Sequence, residues 1–444
     1  MAVDEKDFQM FREGTQQLAS MAPPSTMPDE RRVEVAKTTM LAKLTADMAF
    51  ELESCVHCGQ CAEACHFYQA THDAKYTPIR KLDLLKRVYR REQAPLRWLH
   101  RLYTPDVTID DLHEWQELVY DSCTECGRCF MVCPMGINIA AMVNVNRQAF
   151  ANAELMPAEL RALEMEQGSG YSLFGMGPEQ VEGFLTHLRD SGVNVRMNES
   201  GVDYLLLTSV VEIMIFRDAL LATIRVLEHL GLSWTIHCEG YEAANFGMLS
   251  GVEAVQKVAG DRVVRAVKAS GAKTVLVPEC GHAYPSLRWD QANLDARGQD
   301  FEVLTVSEFL GREVEAGRLR LKPIGKGKKV TFHDPCKLGR HSGVFHEPRV
   351  VLEALGVDFR EVESSQELNW CCGGGAGVFL LNRASGLRQG AWTIKQQQLD
   401  ATGADSVVLS CASCRLNFMN GARAAHWDKG IESLVELAAA QLAD

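Results

Sequence analysis

From about residue 201 the chain alternates two hydrophobic periods. Seven short runs are rich in β-branched and aliphatic residues: VDYLLL from Val202, LSWTI from Leu232, KTVLV from Lys273, FEVLTV from Phe301, KKVTF from Lys328, VDFREV from Val357 and DSVVL from Asp405. Such short apolar runs read as buried strands. Between them lie segments such as RDALLATIRVLEHL and GDRVVRAVKASG, whose apolar residues recur three and four apart, as on one face of a helix. Strand alternating with helix predicts mainly parallel sheet. Residues 1–50 show amphipathic helical spacing around a proline-rich break, APPSTMP from Ala22. Residues 166–200 open Gly-rich and read as a linker.

The composition of the 444 residues is that of a soluble globular enzyme, 46% apolar and 23% charged. The net charge of −12 argues against nucleic acid, whose phosphates need a basic surface. The longest apolar stretch, Tyr204 to Phe216, is interrupted by Glu212 and falls short of the ~20 residues a bilayer span needs. The N-terminus lacks an apolar export core, so a cytoplasmic location is expected, with membrane association only through a partner. One stretch runs against the acidic balance: Lys81, Lys86, Arg87, Arg90, Arg91, Arg97 and Arg101. It reads either as a dock for an acidic partner or a charge offset for negative clusters, or as a solvated helix face.

Fifteen cysteines decide the chemistry. Eight fall in two runs, Cys55-x2-Cys58-x2-Cys61-x3-Cys65 and Cys123-x2-Cys126-x2-Cys129-x3-Cys133-Pro134. This is the bacterial two-cluster ferredoxin spacing, in which the fourth cysteine of each run ligates the other cluster. It assigns Cys55, Cys58, Cys61 and Cys133 to a first [4Fe–4S] cluster, and Cys123, Cys126, Cys129 and Cys65 to a second. Gly59 and Gly127 stand where backbone must pass close to the inorganic core. Structural zinc knots also use CxxC, but as two separated pairs. His66 replaces the proline expected after the first run; it either tunes the neighbouring cluster through a hydrogen bond or caps a helix.

The remaining thiols form a different pattern. Cys336, the pair Cys371 and Cys372, and Cys411-x2-Cys414 are five thiols, more than one metal ion can use. They suit a cluster larger or more open than a single cube. The run Gly373-Gly374-Gly375-Ala376-Gly377 keeps side chains away from it and does not fit the G-x-G-x-x-G nucleotide loop. An internal repeat accompanies this set. KTVLVPECGH from Lys273 matches DSVVLSCASC from Asp405 at an offset of 132, which puts Glu279 and His282 where Cys411 and Cys414 stand. Cys238, Cys280 and His282 could form a remnant metal site or part of the wall of the second site, or be ordinary core residues.

The expected fold class is therefore α+β multidomain: a helical two-cluster ferredoxin-like domain followed by two similar α/β halves. The expected boundaries are an N-terminal helical segment at 1–50, the two-cluster domain at 51–165, a linker at 166–200, a degenerate half at 201–325 and a cluster-binding half at 326–444.

The set Cys336, Cys371-Cys372-Gly373, Cys411-x2-Cys414 resembles the cysteine-rich CCG domain of heterodisulfide reductases. The preceding ferredoxin runs are similar to the fused arrangement of the D subunit of those enzymes. CHFYQATHDAKYTPIRKLDLLKRVYRR from Cys65, and VPECGH from Val277, resemble the K subunit (DsrK) of the Dsr membrane complex of sulfur metabolism. The resemblance implies that Cys336, Cys371, Cys372, Cys411 and Cys414 hold one further CCG-type iron–sulfur cluster, noncubane where that type is best defined. It also implies thiol/disulfide or trisulfide redox chemistry there, with electrons relayed by the two [4Fe–4S] clusters. It further implies a redox partner, either a membrane cytochrome b-type subunit or a soluble flavoprotein, and a small sulfur-carrier or thiol protein as a possible substrate.

Breaking a disulfide takes two electrons and cubanes pass one at a time, so the wire and the terminus have distinct tasks. His333, then Asp334, Lys337 and His341, are the polar residues nearest a cysteine of the set, and His333 is the candidate proton donor. Two rival readings remain. The layout also resembles the iron–sulfur subunit of glycolate oxidase, a non-catalytic electron-transfer subunit of a flavin-dependent 2-hydroxy-acid oxidase of the glycolate or lactate type. The other rival is an assembly scaffold whose clusters only hold shape.

Overall fold

Each of the seven β-rich runs forms a strand in the computed structural model, which describes residues 5–294, 299–325 and 327–443. They are β1 (Tyr204–Leu206), β2 (Trp234–Thr235), β3 (Thr274–Val277), β4 (Glu302–Thr305), β5 (Lys329–Phe332), β6 (Asp358–Phe359) and β7 (Ser406–Leu409). An eighth strand, β8 (Gly430–Ser433), escaped the pattern because this half-exposed edge strand has a single apolar residue, Ile431. The strands form two all-parallel sheets of order β2-β1-β3-β4 and β6-β5-β7-β8. The class is α+β multidomain, with two similar halves.

In each sheet the order reverses between the first and third strands of the half. Such a switch point opens a crevice at the carboxyl ends of the strands, where α/β proteins place ligands. β5 runs into His333, Asp334, Pro335 and Cys336, and β7 runs into Ser410 and Cys411. The helices His346–Ala354, Ser385–Ala401 and Ala412–Ala424 make the crossovers of this half. Helices Val306–Glu315 and His346–Ala354 pack together, as do Arg217–His229 and Leu434–Ala440, and these two contacts clamp the halves to each other.

The N-terminal region is helical. Glu5–Met21 buries Phe8, Phe11 and Leu18 against Ala158–Gly168, and Ile139–Asn152 packs on Asp29–Lys43. The segment expected as a linker is itself folded from Pro178 to Asp190. That helix buries Val181, Leu185 and Leu188 and packs on Cys238–Gly240 of the first half. Among the described residues no helix is long and apolar enough to cross a membrane.

Candidate metal centres

Both ferredoxin runs fold into the same loop. His57 and Gly59 have φ of 54° and 85°; Glu125 and Gly127, at the same places in the second run, have 49° and 75°. Two left-handed residues per loop turn the thiols inward, and a glycine takes the second position without steric cost. One cavity is lined by Cys55, Cys58, Cys61 and Cys133 together with Ile79 and Ile137. A second is lined by Cys65, Cys123, Cys126 and Cys129 with Phe67 and Lys81. The fourth cysteine of each run thus stands in the other run's cavity. Burial raises the Cys61 thiol pKa, and Cys55, Cys133 and Cys58 push it further; Cys129 is raised by burial and then by Cys126, Cys123 and Cys65. Thiolates that repel one another this way need a cationic core, so the donor sets fit iron. The two cavities differ in exposure, since Cys58 in the first is exposed whereas no cysteine of the second is.

The basic stretch is largely consumed internally. Lys81 is buried and donates to the Ser122 carbonyl beside the second cavity. Arg87, Arg90, Arg91 and Arg101 pair with Asp111, Glu53, Asp106 and Glu92.

The five other thiols are all buried and meet at the crevice of the second sheet. Cys336, Cys372, Cys411 and Cys414 line one cavity with Gly374, Gly375, Gly377, Lys337 and His282. Cys371 is absent from that lining. Its Sγ lies 3.4 Å from Thr124 Oγ1, and it joins His66 and Cys126 in a group whose ligand atoms all fall within 4.8 Å of one another. Hydrogen bonds from Cys371 and Cys414 hold the Cys372 thiol well below its usual range, and one from Cys414 lowers Cys411. The glycines allow close packing. A Cβ on Gly373 would stand 2.6 Å from the Ala391 Cβ, one on Gly374 3.0 Å from Asn417 Cβ, and one on Gly375 3.3 Å from the Thr124 carbonyl oxygen.

His333 is fully buried, and a ring nitrogen lies within 4.8 Å of the Cys372 and Cys414 thiols. Asn369 Nδ2 donates to His333 Nδ1 over 3.1 Å and to the Asp334 carbonyl, which leaves the imidazole proton on Nε2. Burial lowers the His333 pKa. Lys395 Nζ donates to Asn369 Oδ1 over 2.5 Å from a fully buried position, and burial brings its pKa down to about 7. Sequence reasoning missed Lys395. Its signal was a lysine on the apolar stripe Trp392, Lys395, Leu399 of one helix. Asp334 is engaged elsewhere, by a two-pronged ion pair with Arg349 at 2.9 and 3.0 Å. His341 lies over Gly127, where a Cβ would come within 3.0 Å of its Nε2.

The possible remnant residues part company. Cys280 Sγ lies 3.6 Å from His282 Nδ1, and His282 lines the cavity of Cys336, Cys372, Cys411 and Cys414, while Gly281 N–H donates to Cys411 Sγ over 3.3 Å. Cys238 bonds instead with Asn198 and belongs to none of the three-ligand groups among the described residues.

Arginines fasten the ferredoxin-like loops to both α/β halves. Arg147, fully buried, donates to the carbonyls of Val119, Cys123, Leu249 and Ala376. Arg128 stacks 3.6 Å over Trp370, and Arg340 donates to the Cys126 carbonyl. Beside this junction opens a cavity of about 480 Å³. Lys337 is part of its wall and also of the cavity lined by Cys336, Cys372, Cys411 and Cys414, and Glu125, Asn144, Gln148, Asp290 and His341 are among its polar lining residues.

Two converging four-cysteine loops wired to a five-cysteine crevice define an iron–sulfur oxidoreductase subunit. Family sequence models agree: a 4Fe–4S dicluster domain matches residues 51–137 and a cysteine-rich (CCG) domain matches residues 330–419. Its cofactors are two [4Fe–4S] clusters and one CCG-type cluster. The chain is 30% identical over 420 residues to the D subunit of the dihydromethanophenazine:CoB–CoM heterodisulfide reductase of Methanosarcina acetivorans, covering 90% of this chain and 96% of that one. It is 24% identical over 399 residues to iron–sulfur subunit 2 of the Hdr-like menaquinol oxidoreductase of Archaeoglobus fulgidus, covering 78% and 71%. It is 26% identical over 410 residues to the EtfAB:quinone oxidoreductase of Syntrophomonas wolfei, covering 84% of this chain and 56% of that protein. The chain belongs to the family of the heterodisulfide reductase D subunit.

Proposed function

We propose that this chain carries out thiol/disulfide redox chemistry at the five-cysteine crevice. In this reading Cys55, Cys58, Cys61 and Cys133 hold a first cubane, Cys123, Cys126, Cys129 and Cys65 a second, and Cys336, Cys371, Cys372, Cys411 and Cys414 the CCG-type cluster. One observation carries it: the crevice touches the second cubane site through Cys371 and Cys126 and meets the 480 Å³ cavity at Lys337. A wire and a polar substrate space would thus both reach the crevice, side by side at the junction. When bound, the clusters supply one-electron transfers and a soft metal surface for a substrate sulfur.

The chain's own residues manage protons and access. Converting a disulfide to two thiols takes two electrons and two protons, and the reverse releases both. His333 holds a proton on Nε2 at the thiol face, and Lys395 bonds the same Asn369 that fixes its tautomer. Lys337 places a cation where a thiolate enters. Cys55, Cys58, Cys61 and Cys133 would hold the first cubane at the surface, where Cys58 is exposed beside the exposed Val56 and Met135, and there it would exchange electrons with a partner. The relatives named for quinone, menaquinol and methanophenazine support a quinone-type electron carrier at the far end, reached through a membrane cytochrome b-type subunit or a soluble flavoprotein.

The likeness to EtfAB:quinone oxidoreductase, whose name includes no thiol, favours one second reading: a relay without sulfur chemistry. Anaerobic EPR of the oxidised protein separates the two, since oxidised [4Fe–4S] cubanes are silent. A paramagnetic signal that appears only with an added thiol and is lost in Cys372→Ser is expected. No thiol-dependent signal from a protein whose clusters reduce normally would leave the relay.

A further inference from the structure

His66 stands between two metal centres. It is 2% exposed, and neither ring nitrogen is paired with a nitrogen or oxygen of the protein; the sulfur of Cys126 is the acceptor in reach. An imidazole always carries at least one N–H, and leaving such a donor buried and unpaired costs about 1–3 kcal/mol. The cost is removed only if something in the site accepts from it. The ligand atoms of His66, Cys126 and Cys371 all lie within 4.8 Å of one another. Cys126 belongs to the second ferredoxin loop and Cys371 to the five-cysteine set. The neighbouring polar groups have other duties: Thr124 Oγ1 bonds Cys371, Arg340 donates to the Cys126 carbonyl, and Arg128 to the Ala64 and Leu368 carbonyls. His66 does not cap its helix, because Cys65 is the capping residue and the imidazole sits on the ring of Phe67 at 4.1 Å.

We infer that His66 is a positioning residue at the junction of the relay and the five-cysteine site, donating an N–H to the Cys126 sulfur beside Cys371 and so raising the reduction potential of the second cubane. The physics is that of any hydrogen bond to a cluster sulfur. The added electron places more negative charge on the thiolates, and an N–H dipole aimed at one of them favours the reduced form. In a sealed pocket that dipole is screened by no water. At the matching position of the first cubane, Cys133 is followed by Pro134, which offers no side-chain donor, and the donors in that cavity's wall, His57 and Gln60, are exposed to water. The two cubanes thereby acquire different potentials, which sets a downhill order between the exposed first cubane and the buried junction.

The inference rests on the proposed assignment of Cys126 to the second cubane. Its test is an EPR-monitored redox titration of the full-length, fully loaded protein, comparing the parent with His66→Leu and His66→Gln. In His66→Leu the second cubane's midpoint is expected to fall by the equivalent of about a tenfold change in its reduction equilibrium, ~59 mV for one electron. The first cubane should not move, and His66→Gln, which keeps an N–H, should recover at least half the shift. An unmoved second midpoint in His66→Leu overturns the inference. Should that variant fail to load, pulsed EPR on the parent decides. A weak nitrogen coupling at the reduced second cubane supports the hydrogen bond, whereas no coupling, or one strong enough for direct iron ligation, overturns it. Failure of the assignment itself shows separately, as a Cys126→Ser variant whose second-cubane signal is unchanged, and that result also overturns the inference.

Discussion

The two α/β halves have the same strand order, the same parallel pairing and a crevice at the same strand ends, yet they furnish that crevice in opposite ways. After β7 stand Cys411 and Cys414; after β3, at the repeat offset, stand Glu279 and His282. Near the matching strand ends the first half gathers the carboxyls of Glu212, Glu242 and Glu279, with Glu212 feeling the charge of the other two. Burial raises the pKa of Glu212 to about 8 and those of Glu242 and Glu279 to about 7, while it lowers that of His282 to about 4. These groups are anchored as building material. The Glu279 carboxyl accepts from the Val435 N–H and its carbonyl from the Ala412 N–H, so it ties down two helix N-termini of the other half. Its neighbour Gly281 donates to Cys411 Sγ. The scaffold sets where a site can be, and the residues at two strand ends decide whether it holds metal or props up a neighbour that does.

The sharpest way to break this contrast is to strike equivalent positions. Cys414→Ser is expected to remove one cluster's iron while leaving both cubane signals, and to lower thiol turnover beyond the ~10–100-fold typical of outer-shell changes. His282→Ala, at the matching position of the first half, should keep the full iron content and lose no more than that range. Iron analysis with EPR on both variants checks it. If His282→Ala also emptied the crevice, the first half would be a ligand donor and the contrast would fail.

A second test strikes what joins the halves. Arg147 donates to the carbonyls of Leu249 in the first half and Ala376 in the second. Arg147→Lys loses the planar fork and leaves buried carbonyls unpaired, at a cost of about 3 kcal/mol. The anaerobic urea midpoint of the loaded protein should drop accordingly.

How much of this was legible follows from the same comparison. Most strands were visible because parallel strands are buried on both faces and read as continuous apolar runs, and the half-exposed edge strand β6 was visible through its flanking Val357 and Val362. β8 was not, since an edge strand with one apolar residue carries no such signal. In the ferredoxin-like loops three thiols of each cavity come from one local run, and the expectation for the fourth rested on the recurring two-cluster spacing. Spacing could not foretell that Cys371, which also bonds Cys336 and Cys372, reaches Cys126, or that Lys395 reaches His333 through Asn369. Those contacts join residues 26 to 245 positions apart, and only the packed fold brings them together. The helix Pro178–Asp190 was hidden by the Gly-rich start of its segment.

The buried carboxyls make the first half pH-sensitive in a defined direction. Glu212 and Glu242 have folded-state pKa values above the ordinary carboxyl value of 4.5. The folded protein therefore binds protons that the unfolded chain has released. Stability from these groups is full below about pH 4.5 and is lost as pH rises toward 7 for Glu242 and 8 for Glu212, by up to about 1.4 kcal/mol per pH unit per group. Urea midpoints of the loaded protein at pH 6 and pH 8 should show the decline. Glu212→Gln, which cannot ionise, should flatten it, and an unchanged slope would mean the carboxyls do not feel the burial inferred for them.

The smallest expected effect is also the most local. A Cβ on Gly281 would stand 3.0 Å from Cys411 Sγ, closer than ordinary contact, so Gly281→Ala must displace the thiol by a few tenths of an ångström. The backbone at Gly281 has no left-handed φ, so the strain is purely one of contact. Overpacking of this kind costs about 1 kcal/mol. At the repeat offset the second half carries Ser413, a side chain in the wall of the cavity itself. The first half needs a glycine there because the other half's thiol already fills the space. Gly281→Ala should alter the EPR signature of the CCG-type cluster and leave both cubanes unchanged, with little loss of stability. An unaltered signature would show that the first half stands beside the cluster without shaping it.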